Sequence, residues 1–164
     1  MTTTRGVLHI HSAPSALCPH IEWAVAGALG VSITWSWLPQ PAERAAYRAE
    51  YAWRGPVGTA TRLASTLKRW GRLRFEITEE ATAESEGERY SHTLALGIFH
   101  AVVGLHGDIL LPEDRVRHAM ASSPDDRALR SALDALLGAA WDAELDVFRH
   151  AADGVPLRWL HEVG

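Results

Sequence analysis

Apolar and polar residues alternate over residues 7–11, 31–38, 47–53 and 72–78, and two stretches at helical spacing lie between these segments. In the first segment Leu8 and Ile10 share one face and His9 and His11 the other. Leu17, Ile21, Val25, Ala28 and Leu29 then form a helical stripe, with Gly30 placed to end it. Ile33, Trp35 and Trp37 alternate with Ser32, Thr34 and Ser36, and Tyr47, Ala49, Tyr51 and Trp53 with Arg48, Glu50 and Ala52. Gly55-Pro56 breaks that pattern. Thr59 reads as the N-cap of a second helix, with Leu63, Leu67 and Trp70 inward and Gly71 at its end. Leu73, Phe75 and Ile77 mark a fourth strand. Strand, helix, strand, strand, helix, strand is the order of a ferredoxin-like βαββαβ sandwich, so residues 1–80 are expected to be such an α+β unit.

Residues 81–89 follow as an acidic connection with few large apolar groups. Tyr90–Ala95 and Ile98–Val103 read as two further strands separated by Gly97, and Ile109–Leu111 as a short return after the turn at Leu105–Asp108. Two C-terminal helices complete the expected fold. One opens at Pro112 with Glu113 and Asp114 in its first turn. The other opens at Ser123-Pro124 and carries a long stripe from Leu129 to Phe148, ending at Asp153-Gly154. Residues 90–164 are thus expected to pack on the first unit as a hairpin and two helices.

Composition narrows the function classes. The chain has 164 residues, 47% hydrophobic, and a formal charge of −4. Nucleic-acid and membrane-surface binding, which call for a basic excess, are therefore not expected. Cys18 is the single cysteine, which excludes an intramolecular disulfide and suits a reducing cytoplasm. The short polar start carries no signal-peptide pattern, and a cytoplasmic location is the expectation.

Four groups of residues carry candidate chemistry. His9 and His11, two apart on a strand, project from one face as a metal pair would, and His20 is a further possible ligand; the alternative is that they hydrogen-bond to whatever covers that face. His100, His106 and Asp108 form a second cluster, readable as an acid–base site at a hairpin tip or as ordinary turn chemistry. Gly58 and Thr59 open a helix whose amides, with Arg62 nearby, suit an anion or nucleotide, although neither a Walker loop nor GxGxxG is present. Most of the seven tryptophans fit a core, but Trp23 lies off the inner stripe of its helix and Trp159 lies in the tail. Those two are candidates for a partner surface. Nothing in the sequence requires a cofactor, and a metal is the only one considered.

Two blocks, Arg5-Gly6-Val7-Leu8-His9-Ile10-His11-Ser12-Ala13-Pro14 through Cys18-Pro19-His20-Ile21-Glu22-Trp23, and Gly97-Ile98-Phe99-His100 through Gly107-Asp108-Ile109-Leu110, resemble an actinobacterial family of small proteins, domain-of-unknown-function family 3145. The resemblance implies an actinobacterial source and a cytoplasmic protein, and brings no activity or catalytic residue. The sequence reading is therefore a non-catalytic interaction or regulatory module, acting as a homo-oligomer or as a small subunit beside a protein partner. The alternatives are a small-molecule or metal-dependent enzyme using His9, His11 and His100, and an anion sensor at Gly58 and Thr59.

Overall fold

A computed structural model describes residues 2–151, in which the alternating segments become strands of one sheet. The strands are β1 (Thr3–Pro14), β2 (Leu38–Pro39), β3 (Ala46–Pro56), β4 (Arg74–Glu79), β5 (Gly87–Thr93), β6 (Gly97–Val103) and β7 (Ile109–Leu110). The helices are α1 (Cys18–Leu29), α2 (Thr59–Leu67), α3 (Glu113–Ser122), α4 (Asp126–Leu136) and α5 (Ala139–His150). The sheet runs β2-β3-β1-β4-β5-β6-β7, antiparallel throughout, so strands from both halves of the chain belong to it. Among the described residues no helix is long and apolar enough to cross a membrane.

Period-2 alternation gives the central strands two different faces. Leu8 and Ile10 of β1 sit beside Ile77 and Phe75 of β4, and all four are buried against Ile21 and Val25 of α1 and Leu63 and Leu67 of α2. Burying each such side chain contributes about 1.5–3 kcal/mol, which makes this layer the main apolar core. The opposite face is covered by α5, whose Leu145 is fully buried. The indole of Trp141 donates to the carbonyl of Gly97 (3.0 Å) and packs on Phe99, fixing one end of α5 to β6.

The structure corrects several expectations. Residues 31–37 keep the predicted alternation, with Ile33, Trp35 and Trp37 inward, but form no ladder, and only Leu38–Pro39 pairs with β3. The Glu22 carboxylate accepts from the backbone N–H of Trp35 (3.1 Å) and the indole N–H of Trp37 (2.9 Å), so this segment is held by a side chain rather than a neighbouring strand. The second helix has Gly58, at φ 94°, as its N-cap, while Thr59 is its first residue. Residues 87–89, expected in the connection, already belong to β5.

Three C-terminal helices replace the expected two, because Gly138, at φ 76°, separates α4 from α5. A side chain there would also stand 2.6 Å from the Phe99 ring. The sheet ends in two-residue strands on both sides, one containing Pro39, which leaves little edge for another strand to pair with. The tail, with Trp159, lies outside the described residues.

Two glycines give opposite predictions. A Cβ on Gly6 would collide with the backbone carbonyl of Thr78 and stand 2.5 Å from the Trp53 ring, whereas one on Gly27 in α1 meets nothing within 4 Å. Gly6→Ala is expected to cost about 3 kcal/mol or more, a mid-sheet backbone clash being among the severe mechanisms. Gly27→Ala is expected to raise stability by about 0.5–1 kcal/mol through helix propensity. Urea denaturation of the two variants beside the wild type checks both signs.

Candidate functional site

The strand register builds a charged cluster on the α5 face of the sheet. His9 stands opposite Glu50 of β3 and Glu76 of β4, and Glu76 stands opposite Ser91 of β5. His11 lies one residue pair further along β1, with its ring parallel to that of His9 (centroids 5.7 Å apart). Helix α5 supplies Asp142 and Arg149, seven residues apart and therefore on one helical face.

Glu76 is the hub. Its carboxylate accepts from His11 Nε2 (2.8 Å), from Ser91 Oγ (3.3 Å), and from Arg149 through both Nε (2.9 Å) and Nη2. Arg149 Nη2 also donates to Asp142 (2.8 Å), which Arg89 of β5 approaches at 3.4 Å. Burial alone would raise the Glu76 carboxyl, but hydrogen bonds from His11 and Arg149 and the arginine's charge reverse that and hold it far below the usual carboxylate range. The Glu76 hydrogen bond raises Arg149 in turn. Near neutral pH this pair is fully ionised and mutually bonded, a clasp between α5 and the sheet rather than a proton donor in waiting. Gln40 reinforces it by donating to the carbonyls of His11 (2.6 Å) and Phe148 (3.4 Å).

Two cavities flank the clasp, and both are bordered by His9 and Glu76. The larger, about 540 Å³, lies between β3 and the end of α5 with Arg48, Glu50 and Phe148 in its wall. The other, about 310 Å³, extends toward Glu80, Arg89 and Gly104. Burial lowers the pKa of His9, with Glu50 (3.9 Å from its Nδ1) acting in the opposite sense.

The other candidates are dispersed. His20 is exposed on α1, across the sheet from His9 and His11. His11 is committed to Glu76, and among the described residues no three His, Cys, Asp or Glu side chains stand where they could hold a metal ion. His100 faces the α2 side of the sheet, where its ring meets Tyr90 (4.7 Å) and its Nε2 lies 3.8 Å from Glu88. Tyr90 and Glu88 bond in turn to Thr61 of α2. His106 and Asp108 are exposed in the β6–β7 turn, away from that group. Cys18 is buried, and burial together with Glu22 raises its thiol, the opposite of an activated nucleophile.

At the start of α2 the amides of Gly58 (2.9 Å) and Ala60 (2.8 Å) donate to the carboxylate of Glu79, which is 2% exposed. The anion that this helix terminus favours is therefore already supplied by the chain, and Arg62 instead reaches the carbonyl of Ala28 (3.3 Å). Trp23 projects from α1 with 77% of its surface exposed. The sequence reading did not single out Glu76, Glu79, Arg149 or Asp142. Alternation placed Glu76 on the His9 face, but only the register brings it to the histidines.

The chain belongs to the family described as Protein of unknown function (DUF3145), which matches residues 7–162. No curated protein and no solved structure matches it.

Glu76→Gln keeps the shape of the hub and removes its charge, leaving Arg149 and His11 without their carboxylate. The expected loss near neutral pH is about 3 kcal/mol, the scale for breaking a buried ion pair. The acid dependence follows from the sign of the shift. The folded-state value lies below the ordinary 4.5, so Glu76 contributes fully above that pH and progressively less as pH falls below it. Urea denaturation across the acid range should show the wild type losing stability more steeply below pH 4.5 than the variant; parallel profiles would contradict this.

Proposed function

We propose that this member of the DUF3145 family is a non-catalytic interaction or regulatory module of the actinobacterial cytoplasm that binds a protein partner through the exposed face of α1. The strand order β2-β3-β1-β4, with α1 and α2 on one face, supports reading the first half as a ferredoxin-like βαββαβ unit. The fold hosts catalysts and pure binding modules alike, so the surface has to decide between them.

Trp23 carries this reading. The helix beneath it buries Ile21, Ala24 and Val25, yet the indole itself stands 77% exposed. A tryptophan covers roughly 150–250 Å² when buried and is enriched at the energetic centre of interfaces. One helical turn on, Gly27 adds no side chain, which leaves a flat strip beside the indole for an apolar socket to close over. The enzyme reading calls for His9, His11 and His100 in one pocket, and the sheet stands between them. The carboxylate nearest the histidines is already engaged by Arg149 and His11.

The test compares tagged wild type and Trp23→Ala purified gently from the native host. The expected result is a protein at fixed stoichiometry with the wild type and absent with the variant. The variant's unfolding free energy should stay within about 0.5 kcal/mol of wild type, as for an exposed position. Equal recovery of the same proteins with both chains, or purification of the wild type alone, overturns the reading.

A further inference from the structure

The geometry points to a binding site for a small organic anion, a carboxylate or phosphate ester, in the cavity between β3 and the end of α5, with Arg48 as its main contact and His9 beside it. Alternation along β3 sends Tyr47, Ala49 and Tyr51 toward the core and Arg48 and Glu50 toward α5. Of the two arginines in the cavity wall, Arg149 is committed to Glu76 and Asp142. Arg48 has no hydrogen-bond or ion-pair partner among the described residues, and its Nε is shut away from solvent without an acceptor. The Nε–H is closed off among protein atoms, whereas the two Nη groups, also without a partner among the described residues, remain accessible, and they are the donors a bound oxyanion would engage.

Two other arginines on this side of the sheet have carboxylate partners. Arg74 pairs with Glu43 (2.7 Å) and Arg89 with Asp142 (3.4 Å). The planar fork of Arg48 matches a carboxylate or phosphate in two-pronged geometry. His9, whose burial favours the neutral ring, can donate to or accept from the same ligand. Leu38 and Phe148 offer apolar wall for its body. The volume, about 540 Å³, is in the range of small-molecule sites. Glu50 shares the wall and opposes an anion, so the site is placed at the Arg48 end. Its side chain is largely exposed and points its charge toward His9 and water.

Calorimetric titration of the full chain with inorganic phosphate, and separately with succinate, tests the assignment. At least one anion is expected to bind saturably, about tenfold or more weakly in Arg48→Gln and with unchanged affinity in Arg54→Gln, an exposed arginine of the same strand. Arg48→Lys, which keeps the charge and loses the fork, should fall between. Binding of phosphate alone assigns a phosphate ester and of succinate alone a carboxylate; both support the site. No saturable binding of either anion overturns it, and so does equal affinity in a folded Arg48→Gln or Arg48→Lys.

Discussion

A carboxylate buried in the middle of the sheet is the constraint around which this protein is arranged. Glu76 sits between β1 and β5 and beneath α5, where an isolated charge would be prohibitive. Its position therefore demands hydrogen-bond donors and a counter-charge, and the fold supplies them from distant parts of the chain, the His11 ring from β1 and the Arg149 guanidinium from α5. The same bonds dictate where α5 lies. With Trp141 and Phe99 holding one end of the helix and Arg149 the other, α5 crosses the sheet and leaves open ground on either side of His9. The cavity containing Arg48 lies on ground that α5 leaves uncovered among the described residues.

Three residues along the same strand, Glu79 does comparable work on the other face. A strand sends residues 76 and 79 to opposite sides, so one glutamate meets α5 and the other meets α2. Glu79 answers the unpaired amides at the start of α2, an anchor worth about 1 kcal/mol or more when the acceptor is charged. The short run Glu76-Ile77-Thr78-Glu79 thus ties a helix to each face of the sheet while Ile77 fills the core between α2 and the strands. On this account the acidic residues near the middle of the chain are organisers of packing. The surfaces proposed for recognition are elsewhere, at the exposed Trp23 of α1 and at Arg48.

The alternation of the central strands and the inner stripes of α1 and α2 were legible in the sequence, because one-sided burial imposes a period that survives in any context. The placement of His9 and His11 opposite Leu8 and Ile10 followed from the same rule. What could not be read were features set by long-range register or by a single backbone conformation. Glu22 gathering Trp35 and Trp37 without a strand partner depends on contacts 13 and 15 residues away. The acceptor for the first amides of α2 is Glu79, 21 residues after Gly58 and 19 after Ala60, and Thr59 offered a plausible local substitute. Gly138 lies within a stripe that looks continuous, and its left-handed φ is visible only once Phe99 is packed against it. The spacing of Asp142 and Arg149 was a usable signal that a polar pair shares the buried side of α5.

The most direct test of the clasp is a double-mutant cycle between Glu76 and Arg149, using Glu76→Gln, Arg149→Met and the pair, read by equilibrium denaturation near neutral pH. If this ion pair holds α5 to the sheet, the coupling energy should reach about 1.5–3 kcal/mol, the range for buried partners in direct contact. Effects that add to within about 0.5 kcal/mol would show that the two residues stabilise the fold independently, and would contradict the account.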